Sequence, residues 1–186
     1  MSSYRIAQRY ARSLVTLAQE QGKLTEVNKD FRRMDEMFET SKELKAIFKS
    51  PIIATDKKLA IAKKIFEGNT SAIVYNFIVL LIKKGREAFL HEIADAFIMQ
   101  YNVLAGITPV KFSSATKLDA AEVNRIINAL KAKENLKEVE LTEEVDPELI
   151  GGFVLTYGDK MVDASIKNQL HGFRKIVDDN SYIKKY

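Results

Sequence analysis

The segment Val145–Ile166 reads VDPELIGGFVLTYGDKMVDASI. Phe153 to Tyr157 is built of β-branched and aromatic residues around Leu155, the composition of a strand. Gly158-Asp159 separates it from Lys160–Asp163 by two residues, the spacing of a tight hairpin in which Gly supplies φ > 0. Asp163 or Ser165 stands where a side-chain oxygen accepts a free N–H of the next helix. Ile166, Leu170, Phe173 and Val177 then recur at spacings of four, three and four, one apolar face of that helix. Gly151-Gly152 carry no Cβ, which permits a sharp bend or a close approach of a neighbouring segment. Pro147 has no N–H to donate, so strand pairing is not expected to continue through it. The glycine pair makes no phosphate cradle, because such a loop leads directly into a helix and here a strand follows.

Working back from this hairpin, Val139 and Leu141 flank Glu140 as another strand. Thr108 to Ser113 alternates apolar and polar residues and reads as a strand with Pro109 at its start or edge. Between them Asp119 and Glu122 have N-cap and N3 spacing, and Val123, Ile126, Ile127 and Leu130 give one helical face. Residues 106–186 are therefore expected to form a small α+β module: strand, helix, strand, hairpin, helix.

Residues 1–105 carry a different period. Ile6, Tyr10, Leu14 and Leu17 follow helical spacing up to Gly22, with Ala7, Ala11 and Ala18 beside them as a surface another helix can approach closely. Val27, Phe31, Met34 and Phe38 form the next stripe, and Leu44, Ile47 and Phe48 a short third one ended by Ser50-Pro51. Thr55 or Asp56 is placed to cap a fourth helix bearing Leu59, Ala62, Ile65 and Phe66. The fifth, Ser71 to Lys84, is apolar around more than one face, which suits a central helix or one that also meets a partner. The sixth bears Leu90, Ile93, Phe97, Tyr101 and Leu104 and closes at Gly106. The expected fold is mainly α: an N-terminal six-helix bundle over 1–105, followed by the small α+β C-terminal module over 106–186.

Composition narrows the function classes. The 186 residues include 46% hydrophobic and 29% charged side chains, enough for a core and a hydrated surface. The chain has no cysteine, which excludes disulfides and thiolate metal sites, and only two histidines, His91 and His171. The longest apolar run, Ala72 to Ile82, is interrupted by Tyr75 and Asn76 and has about half the ~20 residues of a membrane span, so no direct membrane insertion is expected. Arg5, Arg9 and Arg12 would suit a mitochondrial targeting peptide, but they suit the first helix of the bundle equally well. No apolar block of a secretory signal stands near the start. The net charge of +4 divides into +5 for residues 1–105 and −1 for residues 106–186. That basic excess reads as a solvated surface.

No catalytic, metal or cofactor residue is expected. Position 95 is Asp, so His91 lies in no His-Glu-x-x-His motif, and it reads as a surface or helix-edge residue. His171 has no Ser or Cys partner that spacing identifies. Asp159 and Asp163 could be imagined as an acid pair or a Mg²⁺ site, but a turn residue and a helix cap explain them with less. No nucleotide-binding glycine loop occurs. Tyr10, Tyr101, Tyr157, Tyr182 and Tyr186 are scattered over different elements rather than interleaved with arginines, so nucleic acid is not an expected partner.

The order and spacing of Gly151-Gly152-Phe153, Gly158-Asp159, Asp163-Ala164-Ser165-Ile166 and Leu170 resembles the C-terminal signature of the ATP synthase delta subunit family, whose mitochondrial counterpart is the oligomycin-sensitivity-conferring protein. Ala164 departs from the Gly the family often carries there. Gln8 to Leu14, Ser50-Pro51-Ile52, Asn76-Phe77, Lys84-Gly85-Arg86, Tyr101-Asn102 and Gly106-Ile107 extend the resemblance over nearly the whole chain. It implies a non-catalytic stator subunit of a rotary proton-translocating ATP synthase, peripheral on the cytoplasmic face of a bacterial plasma membrane. It also implies a bundle that binds N-terminal segments of the alpha subunits between its first and fifth helices, and a C-terminal module that holds the b subunit's C-terminal helix. Ile6, Tyr10, Ser13, Leu17, Phe77 and Leu81 are the candidate contacts for the alpha segments. Phe153, Met161 and Ile166 are candidates for the stalk. Gly151, Gly152, Gly158, Asp159, Asp163 and Ser165 are expected to shape the module. A nucleic-acid-binding adaptor is the alternative reading, and a small hydrolase a further one. The first requires the basic residues to converge on one face; the second requires a cleft joining a histidine to an acid and a nucleophile.

Overall fold

The computed structural model describes residues 3–179, with side chains described through residue 175. Val177 of the last apolar stripe, Tyr182 and Tyr186 lie outside those described side chains. The chain divides into two compact units, Met1–Leu104 and Ala105–Tyr186.

The first unit runs α1 (Ser3–Glu20), α2 (Leu24–Thr40), α3 (Lys42–Lys49), α4 (Thr55–Phe66), α5 (Ala72–Lys83), a 3₁₀ turn (Glu87–Phe89) and α6 (Leu90–Ala105). Its core is aromatic: Phe31, Phe38, Phe48, Phe66 and Phe97 are all fully buried. Phe31 stacks on Phe97 at 4.7 Å and meets Phe77 edge-on at 6.4 Å, and offset or edge-to-face pairs of this kind add to plain area burial.

On α1 the deepest face is not the stripe of large residues. Ala7, Ala11, Leu14, Val15 and Ala18 are the buried positions. The small side chains bring α1 close to the bundle, and this rotates Ile6, Tyr10 and Leu17 toward its flank.

Two caps differ from the sequence expectation. Thr55 is the first helical residue of α4, Ala54 holds the N-cap position, and no side chain bonds there. Asp119 does occupy the N-cap of α7 (Ala120–Glu134), yet its carboxylate makes no capping bond. The start of α5 is served instead from another helix: Asp30 Oδ2 on α2 accepts the Ser71 N–H at 2.7 Å. That bond satisfies one of the free donors a helix start leaves open, which accounts for a buried aspartate in an apolar bundle.

The second unit runs β1 (Ile107–Ser114), α7, β2 (Glu138–Val145), a 3₁₀ turn (Pro147–Leu149), β3 (Phe153–Tyr157), β4 (Lys160–Asp163) and α8 (Ile166–Asp179). The four strands form one sheet in the order β2-β1-β3-β4. β1 and β2 are parallel, joined by the α7 crossover, and β3 and β4 form the antiparallel hairpin. Pro109 is therefore on a central strand, but it precedes Val110, where pairing with β3 begins. Val110, Phe112, Leu155 and Tyr157 pack against Val123, Ile127 and Leu130 of α7 as the core. Phe153 stacks on Phe112 at 5.5 Å.

Candidate functional site

A surface that binds another helix needs apolar side chains left outside the core and held in place by it. Both units leave apolar side chains outside their cores, the bundle in more than one place, and the sequence-predicted residues divide unevenly over them.

On the bundle, Tyr10 of α1 and Phe77 of α5 meet edge-on, with ring centroids 6.3 Å apart. Both pack on the core yet remain partly exposed, as does Ile6. The Arg9 guanidinium lies 5.7 Å from the Tyr10 ring centroid, within cation–π range. Leu17 is 41% exposed, and the Ser13 hydroxyl donates to its own helix at Arg9 O, 3.0 Å away. Leu81 is different. It is 0% exposed and belongs to the core, so it is corrected from surface contact to buried residue. At 100° per residue, Leu81 and Leu80 lie on opposite sides of Phe77, and the core falls on the Leu81 side. Leu80, 46% exposed, is the residue that α5 presents beside Phe77.

A second apolar patch on the bundle is absent from the sequence reading. Tyr4 on α1 and Met99, Val103 and Leu104 on α6 are all exposed, around a shallow cleft of about 670 Å³ that Gln8 and Gln100 also line. The Gln100 amide donates to Gln8 Oε1 at 2.7 Å and ties the two helices together. Period alone assigned Leu104 to the core stripe; the last turn of α6 carries it out into solvent.

In the second unit, Gly151 and Gly152 lie against the start of α8. The Ile166 N–H donates to Gly151 O at 3.0 Å, and the Ala164 N–H to Phe153 O at 2.9 Å. Ser165, almost wholly buried, accepts the Asn168 N–H at 3.1 Å as the helix cap. Asp163 Oδ1 accepts the Ser165 N–H at 2.9 Å. Bonds from the Ser165 hydroxyl, and then from its backbone N–H, hold the Asp163 carboxyl below its ordinary value. Asp163 is thus engaged by the cap, while Asp159 stands exposed in the hairpin turn at Gly158. This cluster orients α8. Along one face of that helix Ile166, Leu170 and Phe173 are all exposed, Phe173 at 65%, and Met161 and Val162 of β4 are exposed as well. Phe153, named with Met161 and Ile166 as a stalk candidate, stacks on Phe112 and is half-buried.

The histidines bring no nucleophile into play. His171 is exposed on α8. His91 is more enclosed than a surface residue, with 19% of its side chain exposed and its ring 5.7 Å from that of Phe38. Among the described residues, no helix is long and apolar enough to cross a membrane.

Similarity to known proteins extends over both units. The profile of the ATP synthase delta (OSCP) subunit family matches residues 6–177. The ATP synthase subunit delta of Cytophaga hutchinsonii is 36% identical over 173 residues, covering 92% of this chain and 93% of that protein. The same subunit of Citrifermentans bemidjiense is 34% identical over 178 residues, covering 95% and 98%. A chain in the cryo-EM structure of the Toxoplasma gondii mitochondrial ATP synthase hexamer shares the fold, with a TM-score of 0.75 over 92% of this chain and 96% of its own at 19% identity. The chain belongs to the ATP synthase delta (OSCP) subunit family.

Proposed function

We propose that this chain is the non-catalytic stator link of a rotary proton-translocating ATP synthase. The bundle, residues 1–105, binds N-terminal segments of the alpha subunits of the catalytic head. The module, residues 106–186, holds the C-terminal helix of the b-subunit peripheral stalk. The assembly lies against the cytoplasmic face of a bacterial plasma membrane, with this subunit peripheral to it. The head is thereby kept from turning with the rotor.

One observation carries the reading: each unit of a delta-family chain keeps an apolar strip outside its own core. On the bundle these are Tyr10 and Leu17 of α1 with Phe77 and Leu80 of α5, and on the module Ile166, Leu170 and Phe173 of α8. A link under torque needs two separate docking surfaces. An amphipathic helix laid on either strip buries apolar area that the chain alone leaves in water.

Calorimetry with a synthetic peptide copying the alpha subunit's N-terminal segment from the same source tests the first surface. Saturable one-to-one binding that weakens at least tenfold for Tyr10→Ala and Leu80→Asp, with both variants folded, is the expected result. No binding at high micromolar peptide by the folded chain would sink the assignment. Salt-dependent binding to a random duplex would then move the reading to the nucleic-acid adaptor.

A further inference from the structure

Where α2 faces α6, Asp35 and Glu39 stand one turn apart on one helix, and His91 and Asp95 one turn apart on the other. His91 Nδ1 lies 3.3 Å from Asp35 Oδ1 and 3.8 Å from Asp95 Oδ1. One ligand atom from each of Asp35, His91 and Asp95 falls within a 4.8 Å set. From these distances we infer that Asp35, His91 and Asp95 form a binding site for a divalent transition-metal ion of the Zn²⁺ class, bridging α2 and α6.

Three features support a cation rather than a plain ion pair. The first is spacing. Imidazole and carboxylate ligands bind Zn²⁺ at about 2.0–2.2 Å, so two ligands of a tetrahedral ion stand roughly 3.3–3.6 Å apart. The separation of His91 from Asp35 falls in that range, and that of His91 from Asp95 lies just beyond it.

The second is unmet bonding. Asp35 Oδ1 and His91 Nδ1 are both shielded from solvent, and neither has a hydrogen-bond partner. Shielded polar atoms of this kind call for a ligand. The 3.3 Å approach between them is not a hydrogen bond, and with Nδ1 unprotonated each atom has a lone pair to offer a metal.

The third is the far side of the ring. His91 Nε2 faces Glu39 Oε1 at 3.6 Å. Metal-ligating histidines commonly have a carboxylate beyond their second nitrogen, and Glu39, paired with Lys45, stands on that side of His91 beyond hydrogen-bond reach.

The surrounding charge is consistent with a divalent ion. Lys45 pairs with Glu39 at 2.6 Å, and Lys49 with Glu92 at 3.3 Å. Asp35 and Asp95 both face His91. Two carboxylates and an imidazole make a donor set of oxygen and nitrogen that suits Zn²⁺ or Co²⁺.

The test uses the full chain after chelator treatment, titrated with ZnCl₂ by calorimetry and with CoCl₂ by visible absorption. One-to-one Zn²⁺ uptake is expected, together with a tetrahedral Co²⁺ spectrum and a rise in the thermal midpoint. Asp95→Asn keeps the side-chain volume and should weaken binding at least tenfold, as should His91→Ala. His171→Ala on exposed α8 should change nothing. Binding that survives both site variants, or that disappears with His171→Ala, overturns the site. No Zn²⁺ uptake by the wild-type chain also overturns it.

Discussion

A Cβ placed on Gly152 would stand 2.3 Å from the carbonyl oxygen of Ala164 and 3.1 Å from Ser165 Cα. Both neighbours are backbone atoms. They cannot withdraw freely, because the Ala164 and Ile166 N–H groups are bonded to Phe153 O and Gly151 O. Gly152 also has φ +75°, a region that side chains other than glycine enter at a cost. Gly152→Ala is therefore expected to lower the stability of the second unit by about 3 kcal/mol or more. Gly158 is the internal control, since its φ is +54° but a Cβ there meets nothing within 4 Å. Gly158→Ala should cost only about 1–2 kcal/mol. Urea unfolding of the two variants decides the matter, and equal costs would mean that the close approach at Ala164 contributes nothing.

Leu80 and Leu81 are neighbours in sequence with opposite fates. Leu81→Asp places a carboxylate in the bundle core without a partner and should unfold the first unit at ordinary temperature. Leu80→Asp, on the exposed side of α5, should change stability by no more than about 0.5 kcal/mol while removing apolar area beside Phe77. Circular dichroism melts separate the two. A normally folded Leu81→Asp chain would contradict the buried placement.

Periodicity made most of this fold legible, and the particular failures share a cause. The hairpin at Gly158-Asp159 and the stripe Val27, Phe31, Met34, Phe38 depend on near neighbours in the chain, and the structure has them where spacing places them. Leu81 was assigned to a surface from the resemblance alone, and period marks a residue as apolar without saying which of two apolar directions faces the core. On α1 the alanines outrank the larger side chains in burial, since depth depends on how close the neighbouring helix comes. Asp35 and His91 meet only because α2 and α6 pack together, so no local motif could announce their contact. The cap of α5 by Asp30 is hidden in the same way.

Asp163 gives the fold a measurable response to acid. Its folded value lies below the ordinary 3.8, held there by Ser165. The folded state therefore binds this proton less readily than the unfolded chain. The stabilisation is complete above pH 3.8 and is lost as pH falls through the folded value. Asn at this position keeps an oxygen to accept the Ser165 N–H but cannot titrate. Asp163→Asn should show a shallower loss of stability below pH 3.8 than the wild-type chain, with urea midpoints measured across the acid range. Superimposable profiles would remove Asp163 from the acid response.

Lys58 joins three elements of the bundle through one buried ammonium. Its Nζ donates to Glu87 Oε1 at 2.7 Å, in the 3₁₀ turn, and to Phe48 O at 3.2 Å, at the end of α3. The two side chains are only 3% and 13% exposed, so solvent screens the pair weakly. Removing one member leaves the other charged and enclosed, which costs more than the pair itself contributes. Glu87→Ala and Lys58→Met should each destabilise the bundle by about 3–5 kcal/mol. The double variant Lys58→Met with Glu87→Leu replaces both charges by apolar volume and should recover most of that loss. Urea unfolding followed by helical circular dichroism, arranged as a double-mutant cycle, measures the coupling directly. A double variant that loses the sum of the two single losses would show that the pair acts as two independent surface charges rather than as a buried bond between α4 and the turn before α6.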